Sequence, residues 1–174
     1  MIYVECKADE ALVRTLTGLP RREVIHELKG KPEVVNQVRS RSNTRGLVDE
    51  DPQQLQPPYL ERMRIVQYMP ERGLRVLGDG ARGNHLVVLC PRLEEWIVRA
   101  AREAGVDLGR YGLPNNPLEL HKVINVNLTR FGGLVAALLS VAQLAKHIIT
   151  HFTPILAFPL KGEGISSLPL KGES

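Results

Sequence analysis

Hydrophobic positions in the N-terminal part of the chain fall in short apolar runs, separated by longer stretches with helical periodicity. The apolar runs predict strands at residues 2–5, 22–28 and 46–51. Apolar residues three and four positions apart predict helices over residues 8–17 and 32–39. Strand, helix, strand, helix, strand at this spacing is the βαβ pattern, which predicts a parallel sheet.

The pattern changes after Pro52, where a Gln- and Pro-rich loop leads into shorter elements. A short helix is predicted over residues 59–69. Two strands, at residues 74–77 and 85–90, flank a glycine-bearing turn and predict a hairpin. The region between the third strand and the last therefore reads as a loop plus a hairpin, rather than as a single crossover helix.

Helical patterns dominate the rest of the chain. Pro91 opens a strongly amphipathic helix that stops near Gly105. After a connector rich in Gly, Pro and Asn, helices are predicted over residues 118–125 and from Leu128 to about residue 151. The predicted fold class is α/β, with a mostly parallel sheet flanked by helices and a C-terminal helical extension.

Three segments follow from this reading: an α/β domain at residues 1–105, a helical extension packed on it at residues 106–157, and a tail at residues 158–174. The apolar run at residues 131–141 falls short of the ~20 residues that a membrane span needs. It predicts a buried helix or a contact in a homodimer, and no membrane association. The tail contains the repeated pattern Pro-Leu-Lys-Gly-Glu, and two copies are too few for a solenoid, so the tail is expected to be disordered or loosely docked.

Composition narrows the class of protein only slightly. The 174 residues are 43% hydrophobic and 24% charged, which is ordinary for a globular chain. The formal net charge of +4 permits nucleic-acid binding without requiring it. Cys6 and Cys90 each lie in a predicted buried strand and are expected to be free thiols. No signal peptide is recognisable at the start, so a cytoplasmic location is expected.

Acidic side chains gather where predicted strands end. Asp49 and Asp51 close the third strand, and in an extended chain they share a face while Glu50 takes the other. Pro52 favours an extended Asp51, and Glu5 ends the first strand. If these strands are neighbours, the acids converge at one edge, where like charges ~4 Å apart cost roughly 4 kcal/mol at an effective dielectric of ~20. A divalent cation such as Mg²⁺ would relieve that repulsion, and ordinary exposed acids at a loop end are the alternative.

These residues resemble a known family. Residues 4–9 (VECKAD) are similar to the first motif of Toprim domains, which is hydrophobic-Glu-Gly with an Asp a few residues on. Gly30 falls where such domains often place a glycine after the second strand. Residues 48–51 match their D-x-D motif, and residues 91–96 resemble the acid-bearing helix start of small nuclease-like members. Topoisomerases, bacterial primases and the nucleases of the overcoming-lysogenisation-defect family share this fold.

The resemblance covers residues 1–105 and implies a Toprim-like sheet with a metal-dependent nuclease site. It implies that Asp49 and Asp51 hold Mg²⁺ or Mn²⁺, while Glu5 is a further metal ligand or a general acid/base. Topoisomerase and primase are disfavoured, since no topoisomerase-type tyrosine context, zinc ribbon or ATPase motif is found. Cys6 stands where the family has a glycine, and this departure bears on whether the site is active.

Further side chains are candidates with two interpretations each. Glu94 is either another metal ligand or an acid favoured by the helix dipole in a first turn. Lys7 either stabilises the charge that develops on the phosphate or is a solvated lysine. Three arginines ahead of the third strand either receive nucleic-acid phosphates or form a solvated basic face. These are Arg39, Arg41 and Arg45.

Two functions follow as hypotheses. One is hydrolysis of phosphodiester bonds in DNA or RNA by Glu5, Asp49 and Asp51 with Mg²⁺ or Mn²⁺. The other is a non-catalytic Toprim-like module that binds nucleic acid or a partner protein.

Overall fold

The computed structural model describes residues 1–141, and its framework is a six-stranded, mostly parallel sheet flanked by helices. The strands are β1 (Ile2–Val4), β2 (Val24–His26), β3 (Arg45–Asp49), β4 (Arg64–Met69), β5 (Leu74–Asp79) and β6 (Asn84–Leu89). The helices are α1 (Lys7–Thr17), α2 (Lys31–Arg39), α3 (Pro58–Arg62), α4 (Leu93–Ala104), α5 (Pro117–Ile124) and α6 (Leu128–Val141). The predicted α/β fold class is confirmed at this level.

The sheet has the strand order β2-β1-β3-β6-β5-β4. Strands β2, β1, β3 and β6 run parallel, and β5 and β4 are antiparallel additions at one side. Val4 of β1 is in register with His26 of β2 and with Leu47 of β3. The carboxyl ends of the central strands therefore meet at one edge of the sheet.

Both faces of the sheet are covered, which explains why its central strands are almost continuously apolar. Ile2 and Val4 of β1 face a core shared with α1, α4, α5 and α6. Tyr3, on the opposite face, packs in a second core with α2 and α3. Each fully buried aliphatic side chain contributes roughly 1.5–3 kcal/mol, so the two cores hold the carboxyl edge of the sheet in place.

Two predicted helices end where glycine allows a left-handed backbone. Helix α1 is capped by Gly18 at φ 70°, and α4 by Gly105 at φ 67°. At such a φ a side chain is strained, so glycine is favoured. The predicted stops of both helices are confirmed.

The predicted helix over residues 59–69 is wrong for most of its length. Helix α3 ends at Arg62, and the chain then forms β4, which pairs with β5. The β-branched and aromatic residues Ile65, Val66 and Tyr68 favour a strand, and this preference outweighs the weak helical spacing. All three are largely exposed, since β4 is the edge strand.

The described part of the predicted extension shares the main core with β1 and α1. Phe131, Leu134 and Val135 of α6 are buried there, which supports the buried-helix alternative for this apolar run. Within residues 1–141, no helix has the length and apolar character of a membrane span. The predicted end of this helix near residue 151 and the predicted tail at residues 158–174 lie outside the described residues.

The cysteines do not lie in strands as predicted. Cys6 is the N-cap of α1, and Cys90 follows β6; both are partly buried free thiols. The β1 strand ends at Val4 because the chain turns into α1 almost immediately. Cys6 is therefore at the site edge of the sheet rather than inside it.

Candidate carboxylate site

The structure brings Glu5 and Asp49 into direct contact at the carboxyl edge of the sheet. Glu5 follows β1, and Asp49 is the last residue of the adjacent parallel strand β3. The Asp49 backbone N–H donates to Glu5 Oε1 at 2.6 Å. Parallel pairing of two strands with acids at their ends is what places both carboxylates at one point of the edge.

Asp49 is also tied to the helix that follows the next strand. The backbone N–H of Leu93, the first residue of α4, donates to Asp49 Oδ1 at 2.9 Å. Free N–H groups and the helix dipole make a helix N-terminus favourable for a negative charge. One oxygen of Asp49 is therefore fixed by the protein.

The D-x-D stretch is not extended throughout, which corrects the prediction that Asp49 and Asp51 share a face. Strand β3 ends at Asp49, and Asp51 has φ 43° in the left-handed region. Asp51 donates its backbone N–H to the carbonyl of Pro91, and this contact outweighs the local preference imposed by Pro52. Aspartate tolerates this conformation better than most residues.

Asp51 is paired with a buried lysine that the sequence reasoning missed. Lys31 is only 5% exposed, and its Nζ lies 3.4 Å from Asp51 Oδ2. Lys31 Nζ also donates to the Glu50 carbonyl at 2.9 Å and to Gln56 Oε1 at 3.4 Å. An ammonium group has three protons, and these three acceptors match them. The only signal in the sequence was a lysine directly after Gly30.

Gly30 lies beside Glu5, so this predicted loop glycine is part of the site's surroundings. Its backbone has φ 65°, which favours glycine. A Cβ at this position would stand 3.9 Å from Glu5 Oε2. Gly30 thus begins α2 close to the second oxygen of Glu5, and it directs Lys31 into the site.

Asp9 joins the same acidic cluster from α1. It is 3% exposed, and its carboxylate accepts from the backbone N–H of Cys6 at 3.0 Å. The Cys6 thiol accepts in turn from the Asp9 N–H, which completes a capping box. Cys6 has φ −143°, a conformation open to any residue, so its backbone does not need the glycine of the Toprim motif.

Glu94 lies in the first turn of α4, where the helix dipole favours an acid, and it is buried. It is 5% exposed, and its Oε1 lies 2.9 Å from His121 Nδ1 of α5. Its charge contributes to raising the pKa values of Asp9 and Asp49. Glu94 therefore belongs to the cluster electrostatically, although one of its oxygens is occupied by His121.

The electrostatics of the cluster favour protonated acids or a compensating cation. Burial raises the pKa of Glu5 to about 7, although the hydrogen bond from Asp49 N–H lowers it. Burial is also the main cause of the raised pKa of Asp49, followed by repulsion from Asp9, Glu5, Glu94 and Asp51. The pKa of Asp9 is raised by burial as well, against the hydrogen bonds from Cys6. Perturbed acids gathered in this way are typical of functional sites.

The donor chemistry suits a hard divalent cation, but the described residues are not arranged as a complete metal cage. Within residues 1–141, no three His, Cys, Asp or Glu side chains are grouped so as to hold a metal ion. Mg²⁺ commonly uses one or two carboxylates and keeps several waters, so a full protein cage is not required. Asp49 fits this use best, because the Leu93 N–H holds its Oδ1 and its second oxygen would be the donor to the cation.

Of the other predicted site residues, Lys7 lies at the same edge of the sheet as the carboxylates, whereas the three arginines lie at the opposite edge. Lys7 is exposed at the start of α1, on the side of the helix that faces α6. Arg39, Arg41 and Arg45 precede or begin β3, so they lie at the opposite edge of the sheet from Asp49. At ~3.3 Å per residue, β3 separates Arg45 from Asp49 by roughly 13 Å. The structure therefore does not bring these arginines to the acids.

No protein-family model matches the chain, and no curated protein or solved structure matches it significantly.

Proposed function

We propose that the chain is a Toprim-like, metal-dependent nuclease that hydrolyses phosphodiester bonds with Glu5, Asp49 and Asp51. The observation that carries the proposal is the contact between Glu5 and Asp49 at the carboxyl edge of two adjacent parallel strands. Open α/β sheets generally bind their ligands at this edge. Burial and repulsion from neighbouring acids raise the pKa values of Glu5 and Asp49, and a bound divalent cation would offset that cost by favouring their ionised forms.

In this proposal Asp49 and Asp51 hold Mg²⁺ or Mn²⁺, with Glu5 and Glu94 at the margin of the site. The cation, when bound, neutralises phosphate charge and makes a bound water more acidic. Lys31 restrains Asp51 through its ion pair, so that carboxylate has little freedom to reorient. Gly30, whose φ of 65° favours glycine, lets the backbone turn into α2 beside Glu5.

Glu5 is the proposed general base. With its pKa raised to about 7 by burial, Glu5 is partly ionised at neutral pH and can accept a proton from water. Its Oε1 is held by the Asp49 N–H, so Oε2 is the oxygen that would take the proton. Lys7, on the first turn of α1, is proposed to offer positive charge to the phosphate group.

The second candidate is a non-catalytic Toprim-like module that binds nucleic acid or a partner protein. It is favoured by the internal partners that Glu5, Asp49, Asp51 and Glu94 already have. It is favoured too by the lack, in the described part of the chain, of three grouped metal ligands. In this alternative the acids and Lys31 form a fixed polar network that shapes the edge of the sheet.

The test is a cleavage assay in Mn²⁺ and in Mg²⁺, with supercoiled plasmid and single-stranded RNA as substrates. Glu5→Gln and Asp49→Asn keep the size of each side chain and remove one charge. Arg39→Gln, at the opposite edge of the sheet, is the matched control. Cleavage by wild type and the control, lost in both acid variants, is the expected result. If Asp49→Asn still cleaves the substrates, the nuclease proposal is contradicted. If the wild type cleaves neither substrate in Mn²⁺ or in Mg²⁺, the binding module is favoured.

A further inference from the structure

A polar cleft of about 600 Å³ lies between α1, the segment that leads into β2, and the start of α6. Its cationic side chains are Lys7, Arg14 and Arg21, and Glu10 is the one carboxylate among the described residues that line it. The cleft therefore carries a surplus of positive charge. The acids of the carboxylate site are not part of its lining.

The two arginines are available to a ligand. Glu10 Oε1 lies 3.5 Å from Arg14 and 3.6 Å from Arg21, which are loose ion pairs rather than short hydrogen bonds. The side chain of Arg14 is 43% exposed and that of Arg21 is 82% exposed. Exposed pairs of this kind hold their partners weakly, so both guanidinium groups can turn towards an anion.

One end of the cleft opens at the same edge of the sheet as the carboxylates. Lys7 is two positions after Glu5, and His26, which also lines the cleft, ends β2 in register with Val4. From this end the cleft follows α1 towards Gly18, a helical length of roughly 16 Å at 1.5 Å per residue. The cleft thus extends away from the acids, and its length suits a short segment of an extended polymer chain.

We propose that this cleft binds the phosphodiester backbone of single-stranded nucleic acid and guides it to the carboxylate edge. Guanidinium and ammonium groups are the side chains that most often contact phosphate, and hydroxyls such as that of Thr129 add neutral donors. A volume of this size holds a few linked nucleotides and not a duplex. The guiding role rests on the proposed nuclease function, whereas the binding itself does not.

Binding is measured on the full chain by fluorescence anisotropy, with labelled single-stranded DNA and RNA of about ten nucleotides. Asp49→Asn protein in chelator is used, so that no cleavage interferes. Gly132 of α6 lines the cleft, and a Cβ there meets no atom within 4 Å. Gly132→Glu therefore places a carboxylate in the cleft without disturbing the packing, and we expect affinity to fall about tenfold. Gly132→Ala is the control and leaves affinity unchanged.

Two further comparisons vary the charge of the cleft in opposite directions. Glu10→Gln removes its carboxylate and should tighten binding several-fold, an effect that partial unfolding cannot imitate. The double variant R14Q/R21Q should weaken binding and lower the slope of log affinity against log salt by about 1.4, at ~0.7 per phosphate contact. The double variant R39Q/R41Q removes the same charge at the opposite edge and should change affinity less than twofold.

Equal losses in R14Q/R21Q and R39Q/R41Q would overturn the proposal, as would unchanged binding in Gly132→Glu. Inorganic pyrophosphate that binds as tightly as the oligonucleotide would show a small-anion site instead of a strand site. If the wild type cleaves nucleic acid but the cleft variants bind as the wild type does, the proposed role of the cleft is rejected and the nuclease proposal stands. If the cleft variants alter binding but the wild type does not cleave, the cleft is still a binding site for single-stranded nucleic acid and the nuclease proposal is rejected.

Discussion

The two ends of β3 carry opposite charges in very different surroundings. At the carboxyl end, Asp49 is in contact with Glu5, and Lys31 is buried nearby. At the amino end, Arg39 and Arg41 are exposed, and Arg41 lies 5.3 Å above the centre of the Tyr3 ring. The sequence alone marks both ends as candidate sites, because it shows charge and not burial.

The two ends differ in the free-energy cost of removing water from their charged groups on folding. An exposed arginine keeps most of its hydration, so it is tolerated almost anywhere. Buried carboxylates lose hydration and repel one another, as the raised pKa values of Glu5 and Asp49 reflect. A cluster that opposes folding in this way is the better indication of function, and experiments on its charge can test that inference.

The largest effect on stability is expected from Lys31→Met. This change removes a 5%-exposed ammonium group that pairs with Asp51 and donates to the Glu50 carbonyl. It leaves a partly buried carboxylate without its cation, which costs about 3 kcal/mol of unfolding free energy. Urea denaturation at neutral pH measures the loss. A loss below about 1 kcal/mol would mean that the acids are compensated by something other than Lys31.

A divalent cation should stabilise the wild type almost as much. At a Mn²⁺ concentration a hundred times its dissociation constant, the gain in unfolding free energy is about 2.7 kcal/mol. Thermal denaturation with and without Mn²⁺ measures this gain at pH 8, where protons compete with the cation for the acids less than they do at neutral pH. Asp49→Asn should remove it and Arg39→Ala should retain it. The same shift in Asp49→Asn would place any bound metal elsewhere.

Stability without metal should fall as the pH rises. The pKa values of Glu5, Asp9 and Asp49 are raised in the folded chain, so between their unfolded values near 4 and their folded values the folded state binds more protons. The contribution of these acids is complete below about pH 4, and it is lost as the pH rises through 7 and beyond. Each of these acids contributes up to about 1.4 kcal/mol per pH unit, so between pH 5 and pH 8 we expect a loss of at least about 2 kcal/mol.

Asp49→Asn provides the control for this pH dependence. Its Oδ1 can still accept from the Leu93 N–H, so the change removes charge and little else. Urea denaturation across this pH range in chelator should give a flatter profile for Asp49→Asn than for wild type. Parallel profiles would show that Asp49 is already ionised in the folded chain at pH 5, so that its pKa is not raised.

The parts of the fold that sequence could predict are those governed by local rules. Apolar runs located β1 and β3, and a pairing of adjacent parallel strands was enough to bring Glu5 towards Asp49. Strand β4 was missed because six residues with Ile65, Val66 and Tyr68 satisfy helical and strand patterns almost equally. Only pairing with β5 decides between them.

The features that sequence could not predict depend on contacts between distant residues. Lys31 is buried by groups 19 and 25 positions away, Glu50 and Gln56. Glu94 meets His121 across 27 positions. Hydrophobic periodicity predicts helices and strands, but it does not predict which polar side chains come into contact once the sheet has formed. The charge of the site was therefore visible in the sequence, whereas its compensation was not.

The smallest effect is expected at the amino end of β3. Arg39→Ala removes an exposed charge that caps no buried group, so unfolding free energy should change by less than about 0.5 kcal/mol. The same substitution should leave the pH dependence and the Mn²⁺ shift of the wild type intact, because the length of β3 lies between it and the acids. Measuring all three properties on this one variant tests the comparison most strictly. A change in the Mn²⁺ shift would mean that the two ends of β3 are coupled and that burial alone does not distinguish them.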